Sequence, residues 1–272
     1  MGIVIWNTGS GLGPANLHSA LNVLDLLHDW DVMFLQEHLH GGHSVYTVQG
    51  HQVLTGCSKG QNVAASIVVN SRLARHVRFD KMSAWREGIA VAVHMGSLHL
   101  VLESRHLPHR DLSPGAYESS VNQCIAHLES VACTGSQVML GLESNSSPDY
   151  QECLRFGDAG RFGHFSRLCN ALGVSACTTN RFPTYIGWPT TRWRTTARAY
   201  DHVLVPDDMS ADLYPVTHLE AIKDSDHRPV FGQVNTGWGQ IRTWRVPKRC
   251  RLAVWTGTHQ ISGLHREQGE ER

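Results

Sequence analysis

The sequence predicts an α/β protein in which helices pack outside a pair of β-sheets. Short apolar runs bounded by Gly, Pro and Asn recur along the chain, which is the pattern of buried strands. Too few long amphipathic stretches separate them for a simple alternating parallel sheet. Two amphipathic helices come early and further helix is scattered later, so the helices are expected to cover sheets rather than to form a bundle.

The elements follow in order. Ile3-Val4-Ile5-Trp6 reads as a buried strand ending at Asn7, and Gly9, Gly11, Gly13 and Pro14 then break it. Residues 15–29 read as a helix, because Leu17, Leu21, Leu24 and Leu27 recur on one face. Asp31 to Leu35 is a second apolar run, and it terminates in Gln36-Glu37. Val53-Leu54 and Val63 to Val69 are further strands, with turns at Gly56, Gly60 and Asn70-Ser71. Ile89 to Val93 and Leu98 to Leu102 form a hairpin pair through Met95-Gly96-Ser97, and the second strand leads to Arg105-His106-Leu107-Pro108-His109. A helix is expected over 114–132, with Pro114 in its first turn and Val121, Ile125 and Leu128 on one face. Val138 to Gly141 is a strand closing on Leu142-Glu143-Ser144-Asn145, and residues 149–172 read as helix in pieces. An irregular loop spans 183–198, Ala199 to Val205 is a strand, and Val230 to Val234 ends the recognisable core. The expected division is a domain over 1–236 and a C-terminal extension or linker over 237–272, whose last residues are polar and charge-rich.

With 272 residues, 41% hydrophobic and 18% charged, the chain is expected to fold around a large core. Its 24 basic and 24 acidic residues cancel, which removes the basic excess of a passive nucleic-acid binder and leaves only local contact. Arg192-Trp193-Arg194 with Arg198 is one such local cluster, and Arg242, Trp244, Arg245, Lys248, Arg249 and Arg251 form a second. Interleaved Arg and Trp can contact a phosphate backbone and stack on a base. Seven cysteines without a C-x-x-C pair argue against a disulfide framework and a structural zinc site, and point to a reducing, intracellular compartment. Neither a charged leader nor a run of about 18 apolar residues is seen, so no signal peptide and no membrane span are expected.

Polar residues gather where the apolar runs stop: Asn7, Glu37, His106, Glu143, Asn145, Asp201, Asp226 and His227. Loops at one edge of a stacked-sheet scaffold are where function concentrates. In Ser225-Asp226-His227-Arg228-Pro229-Val230, a carboxylate able to meet a hard cation lies beside an imidazole able to exchange a proton with a phosphoryl oxygen. Trp6-Asn7, Leu35-Gln36-Glu37, His106-Leu107-Pro108-His109, Tyr200-Asp201-His202 and the Asp226-His227 segment stand in an order that resembles the endonuclease/exonuclease/phosphatase superfamily. That group includes abasic-site endonucleases, pancreatic-type deoxyribonucleases, retroelement endonucleases and inositol-polyphosphate phosphatases. The resemblance covers roughly residues 3–234 and is nearest in character to non-LTR retroelement (retrotransposon) endonuclease domains.

The resemblance implies a four-layer sandwich of two packed mixed or antiparallel sheets flanked by helices, and metal-dependent hydrolysis of a phosphodiester by in-line water attack. It implies Mg2+, with Mn2+ as the substitute, held by Glu37 and Asp226 with Asn7 orienting the metal region. His227 would act on the scissile phosphate, oriented by Asp201, with His106 facing the phosphate and Asn145 stabilising the transition state. Two departures stand out. Glu143-Ser144-Asn145 occupies the place of the family's Asp-x-Asn, so the water-activating carboxylate is one methylene longer, and Arg105 stands where the family has a small polar residue. The leading expectation is a DNA endonuclease. The alternatives are an inositol-phosphate or other phosphoester phosphatase, and a nucleic-acid-binding module impaired by Glu143. A compact module of this kind also fits part of a larger polyprotein.

Two other patterns fall short of a site. His38, His40 and His43 fit no closed zinc pattern and read as a mobile His-rich loop. Gly9-x-Gly11-x-Gly13 hints at a dinucleotide turn, but its third glycine comes one residue early.

Overall fold

The computed structural model describes residues 1–9, 12–39, 44–56, 63–74, 78–85, 87–95, 98–109, 113–132, 135–177, 183–186, 197–220, 222 and 225–235. All of them fall within one compact unit, Met1–Gly237. The extension expected over 237–272 lies outside the described residues.

The first half contains β1 (Gly2–Asn7), α1 (Pro14–Leu27), β2 (Val32–Leu39), β3 (Ser44–Val48), β4 (His51–Gly56), β5 (Val63–Val69), α2 (Ser71–Ala74), β6 (Arg78–Trp85), β7 (Gly88–Met95) and β8 (Leu98–His106). The second contains α3 (Pro114–Val131), β9 (Gln137–Glu143), α4 (Tyr150–Phe156), α5 (Ala159–Leu172), β10 (Val174–Cys177), β11 (Tyr185–Ile186), β12 (Ala197–Arg198), β13 (Asp201–Pro206), β14 (Ser210–Pro215), α6 (Thr217–Glu220) and β15 (Val230–Asn235). One sheet has the order β14-β15-β1-β2-β5-β4-β3 and the other β10-β13-β9-β8-β7-β6. Both are mixed: β1 pairs β2 and β8 pairs β9 in parallel, and their remaining pairings are antiparallel.

Two-residue alternation along each strand builds the layers. In β1, Val4 and Trp6 pack with Leu17, Leu21 and Leu24 of α1 on the outer face of the first sheet. In β8 and β9, Val101, Val138, Leu140 and Leu142 pack with Tyr117, Val121 and Leu128 of α3 and Phe165 and Leu168 of α5 on the outer face of the second. The remaining positions, including Ile3, Ile5, Phe34, Leu102 and Met139, are buried and turn toward the opposite sheet. This gives helix, sheet, sheet, helix, the architecture expected from the sequence.

The two sheets approach closely at Gly141, where an added Cβ would collide with the Phe34 side chain. The same junction carries a polar seam. Gln36 Nε2 donates to Ser104 Oγ at 3.1 Å and to the Gly141 carbonyl at 3.0 Å, and Ser104 Oγ donates to the Leu35 carbonyl at 2.8 Å. These bonds fix β2 against β8 and β9 directly beneath the strand ends.

Several elements escape a reading of periodicity. Strands β3, β6, β10 and β14 are additional to those expected, and the 183–198 loop holds the two-residue pair β11 and β12 among its described residues. His38, read as part of a mobile loop, is instead buried in β2, with Nδ1 2.8 Å from Ser66 Oγ. The β2–β5 pairing continues to Leu39 after a bulge, and that continuation carries His38 inside. His40 and His43 lie outside the described residues.

Candidate active site

The inward positions of four strands converge at one edge. Continuing the inward series past Ile3 and Ile5 brings Asn7 to the end of β1; past Met139 and Gly141 it brings Glu143 to the end of β9; past Ser104 it brings His106 to the end of β8. Asp201 opens β13 directly opposite Glu143, and His106 is register partner to Glu143 from the other side. Glu37 arrives differently. The register of β2 shifts between Leu35 and His38, and Glu37 takes a left-handed backbone conformation with φ 53°. The bulge re-aims the carboxylate into the site. Asn145 also has a positive φ, 49°, and such conformations in non-glycine residues gather at functional sites.

Glu143 is the hub. Its carboxylate accepts hydrogen bonds from Asn7 Nδ2 and, at 3.1 Å, from Asn145 Nδ2. Its oxygens lie 3.3 Å from His106 Nε2 and 3.6 Å from His227 Nε2. His106 Nδ1 in turn is 3.9 Å from Glu37 Oε1. One ligand atom each from Glu37, His106 and Glu143 falls within a 4.8 Å cluster. Burial raises the pKa of Glu143 and the facing imidazoles of His106 and His227 only partly offset it. A buried carboxylate with this residual cost, beside the half-exposed Glu37 and His106, matches the donor set for a divalent cation.

The second group is an Asp-His pair. His227 Nδ1 lies 2.8 Å from Asp201 Oδ2, with both residues buried. Burial alone would lower the His227 pKa. The carboxylates of Asp201, Glu143 and Asp226 and the Asp201 hydrogen bond outweigh it, and the net pKa rises to about 10. At neutral pH the imidazole is therefore a cation that turns Nε2 toward Glu143 and the opening.

Asp226 stands outside the 4.8 Å cluster, beside Gly9: an added Cβ on that glycine would lie 3.4 Å from Asp226 Oδ1. Ser225 Oγ donates to the Asn7 carbonyl at 3.0 Å and accepts from His227 N at 3.1 Å, which links the ends of β1 and the 225–227 turn. Arg198 is 7% exposed, donates to Asp158 Oδ2 at 3.1 Å and to the Tyr200 hydroxyl, and so does not offer a solvated guanidinium to a nucleic acid. Arg192, Trp193 and Arg194 lie outside the described residues, as does the cluster from Arg242 to Arg251. Arg105 is also buried, with Nε 2.5 Å from Glu103 Oε1, and the Glu103 carboxylate also meets Cys124 of α3.

Solved structures share this architecture. The endonuclease domain of TRAS1, a telomere-specific non-LTR retrotransposon, aligns with a TM-score of 0.62 at 15% identity, covering 86% of this chain and 98% of that one. D. rerio TDP2 complexed with a single-strand DNA product aligns at 0.59 and 15% identity, covering 87% of this chain and 99% of that one. An endonuclease/exonuclease/phosphatase from Bacteroides vulgatus aligns at 0.59 and 10% identity, covering 86% and 98%. This chain has the endonuclease/exonuclease/phosphatase fold. No protein-family model and no curated protein matches the sequence.

Within the endonuclease/exonuclease/phosphatase fold of this chain, some residues that build the site carry no local sequence signal. Gln36 and Ser104 join the sheets, as described above. Arg161, on α5, donates from Nη1 to the carbonyls of Pro108 at 3.3 Å and Asn145 at 3.2 Å, tying together the segments that follow His106 and Glu143. Tyr117 Oη donates to the Ser144 carbonyl at 2.9 Å. Each works through a backbone carbonyl from a distant part of the chain, and no motif records that. Among the described residues no helix is long and apolar enough to cross a membrane.

Proposed function

We propose that this protein is a divalent-metal-dependent phosphodiesterase that cleaves DNA. The observation that carries the reading is the placement of Glu37, His106 and Glu143 around one point, with the His227–Asp201 pair opening onto the same carboxylate. The names of the neighbours, a retrotransposon endonuclease and a TDP2 holding a DNA product, support nucleic acid as the substrate class.

Glu37, His106 and Glu143 would hold the cation, while Asp226 stands outside their cluster, beside Gly9. When bound, Mg2+ or Mn2+ supplies charge compensation for the phosphate and lowers the pKa of coordinated water. His106 adds a nitrogen donor, which suits Mn2+ better than Mg2+. His227, held as imidazolium and oriented through Nδ1 by Asp201, donates a hydrogen bond from Nε2 to a phosphoryl oxygen and holds the proton there. Glu143, whose ionised form the His106 and His227 imidazoles favour against the cost of burial, accepts the proton of the attacking water. The Asn7 and Asn145 amides fix its two oxygens.

The test is conversion of supercoiled plasmid to nicked circle in Mg2+ and Mn2+, with EDTA as control, beside phosphate release from inositol phosphates under the same conditions. Metal-dependent nicking without phosphate release supports the proposal. Phosphate release without nicking assigns the site to a phosphatase, and neither activity in either metal overturns the enzymatic reading.

A further inference from the structure

Thr184 is fully buried and belongs to no recognised motif. Its hydroxyl oxygen accepts two successive backbone amides, Tyr200 N at 2.9 Å and Asp201 N at 3.0 Å. Its own amide donates to the Arg198 carbonyl at 2.9 Å, and its carbonyl accepts from Arg228 N at 2.6 Å. The next residue, Tyr185, forms an isolated antiparallel bridge with His227, and its ring lies 5.0 Å from the His227 ring and 5.5 Å from that of Tyr200. The two residues 184 and 185 therefore bond to the backbone on both sides of the Asp201–His227 contact. No sheet bond joins these segments to each other directly: Asp201 opens β13, and His227 precedes β15 in the other sheet.

We propose that Thr184 is a positioning residue whose hydroxyl and carbonyl oxygens set the distance and angle between Asp201 and His227. The inference rests on the functional reading above, since it assigns Thr184 to the same site. The physical reason is the need of buried amides for acceptors. At the mouth of β13 the Tyr200 and Asp201 amides both donate to a single side-chain oxygen. Because that oxygen belongs to the segment that also receives Arg228 N, the carboxylate of Asp201 and the imidazole of His227 are referenced to one short piece of backbone rather than to two separate sheets. The Tyr185 ring, tilted against the imidazole at 5.0 Å, then limits rotation of His227 about Cβ–Cγ.

The discriminating pair is Thr184→Val, which keeps the shape and deletes the acceptor, and Thr184→Ser, which keeps the acceptor. Two readouts are taken on the full chain well below its melting temperature: kcat and KM for plasmid or oligonucleotide cleavage, and the downfield proton resonance of His227 Nδ1–H in the presence of EDTA. Leu128→Ala, a core change on the buried face of α3, serves as the control for a generally weakened fold. The proposal expects Thr184→Val to lower kcat by about 10- to 100-fold, the scale for groups that orient a catalytic side chain, with KM little changed and the His227 resonance lost or shifted. Thr184→Ser restores both, and Leu128→Ala lowers the melting temperature without moving either. A Thr184→Val protein with wild-type kcat and an unmoved resonance overturns it, as does a kcat loss equal to that of Leu128→Ala. If the wild-type protein cleaves nothing, the functional reading fails. The resonance then still decides whether Thr184 sets the pair.

Discussion

Replacing Glu143 with Asp, the residue that the resemblance places there, should damage the site rather than repair it. The shorter side chain withdraws the carboxylate by about 1.5 Å toward β9. The 3.1 Å bond from Asn145 Nδ2 and the 3.3 Å approach of His106 Nε2 would open by up to about 1.5 Å, enough to take them beyond hydrogen-bond reach. Asn7, whose side chain ends at the same carboxylate, would lose its partner as well. A displacement on the order of 1 Å costs about 10²-fold in rate, or roughly 2.7 kcal/mol of barrier. The assay is single-turnover nicking of supercoiled plasmid at saturating metal, with the melting temperature confirming that the variant is folded. A Glu143→Asp protein as fast as the wild type, or faster, would refute the view that Asn7, His106 and Asn145 are arranged around the longer side chain.

Three further outcomes follow from the packing and charges. Glu103→Gln should cost about 3–5 kcal/mol, because it removes the carboxylate from a fully buried ion pair with Arg105; thermal unfolding should show a melting point lower by roughly 6–20 °C, and Glu103→Leu with Arg105→Met should recover much of the loss. Gly141→Ala should cost about 1–3 kcal/mol in urea unfolding through overpacking against Phe34, with part of it regained when Phe34 is cut to Val. In EDTA, His227 binds a proton in the folded state up to about pH 10 but in the unfolded chain only up to 6.5. Its contribution to stability is complete below pH 6.5 and is lost as pH rises through 10. The slope of melting temperature against pH between those values should therefore flatten in His227→Ala, and an unchanged slope would show that Asp201 and Glu143 do not hold the proton there.

Much of this architecture is legible in the sequence because strand alternation and chemistry coincide. Asn7, His106, Glu143 and Asp201 end or begin apolar runs whose inward phase can be counted, and the structure brings them together with Glu37 and His227. What cannot be counted is the route taken by Glu37, since a bulge with a left-handed residue breaks the two-residue period. Strand β14, Ser-Ala-Asp-Leu-Tyr-Pro, lies at a sheet edge and alternates exposed with half-buried positions, so it lacks the apolar run that marks a central strand. Arg198 reads like an exposed base contact beside Arg192 to Arg194, and only the partnership with Asp158 and Tyr200 shows it to be internal. Thr184, Gln36, Ser104 and Arg161 share a different obscurity: each is a common residue made important by a backbone group far away in the chain.

The account depends most directly on whether the cluster around Glu143 breaks a phosphodiester bond. Supercoiled plasmid incubated with the wild-type protein, Glu37→Gln and His227→Ala in Mg2+ or Mn2+ decides it. The account predicts nicking by the wild type that EDTA abolishes, with both variants slower by about 10² or more. Nicking that survives EDTA, or that Glu37→Gln and His227→Ala perform at the wild-type rate, would contradict it.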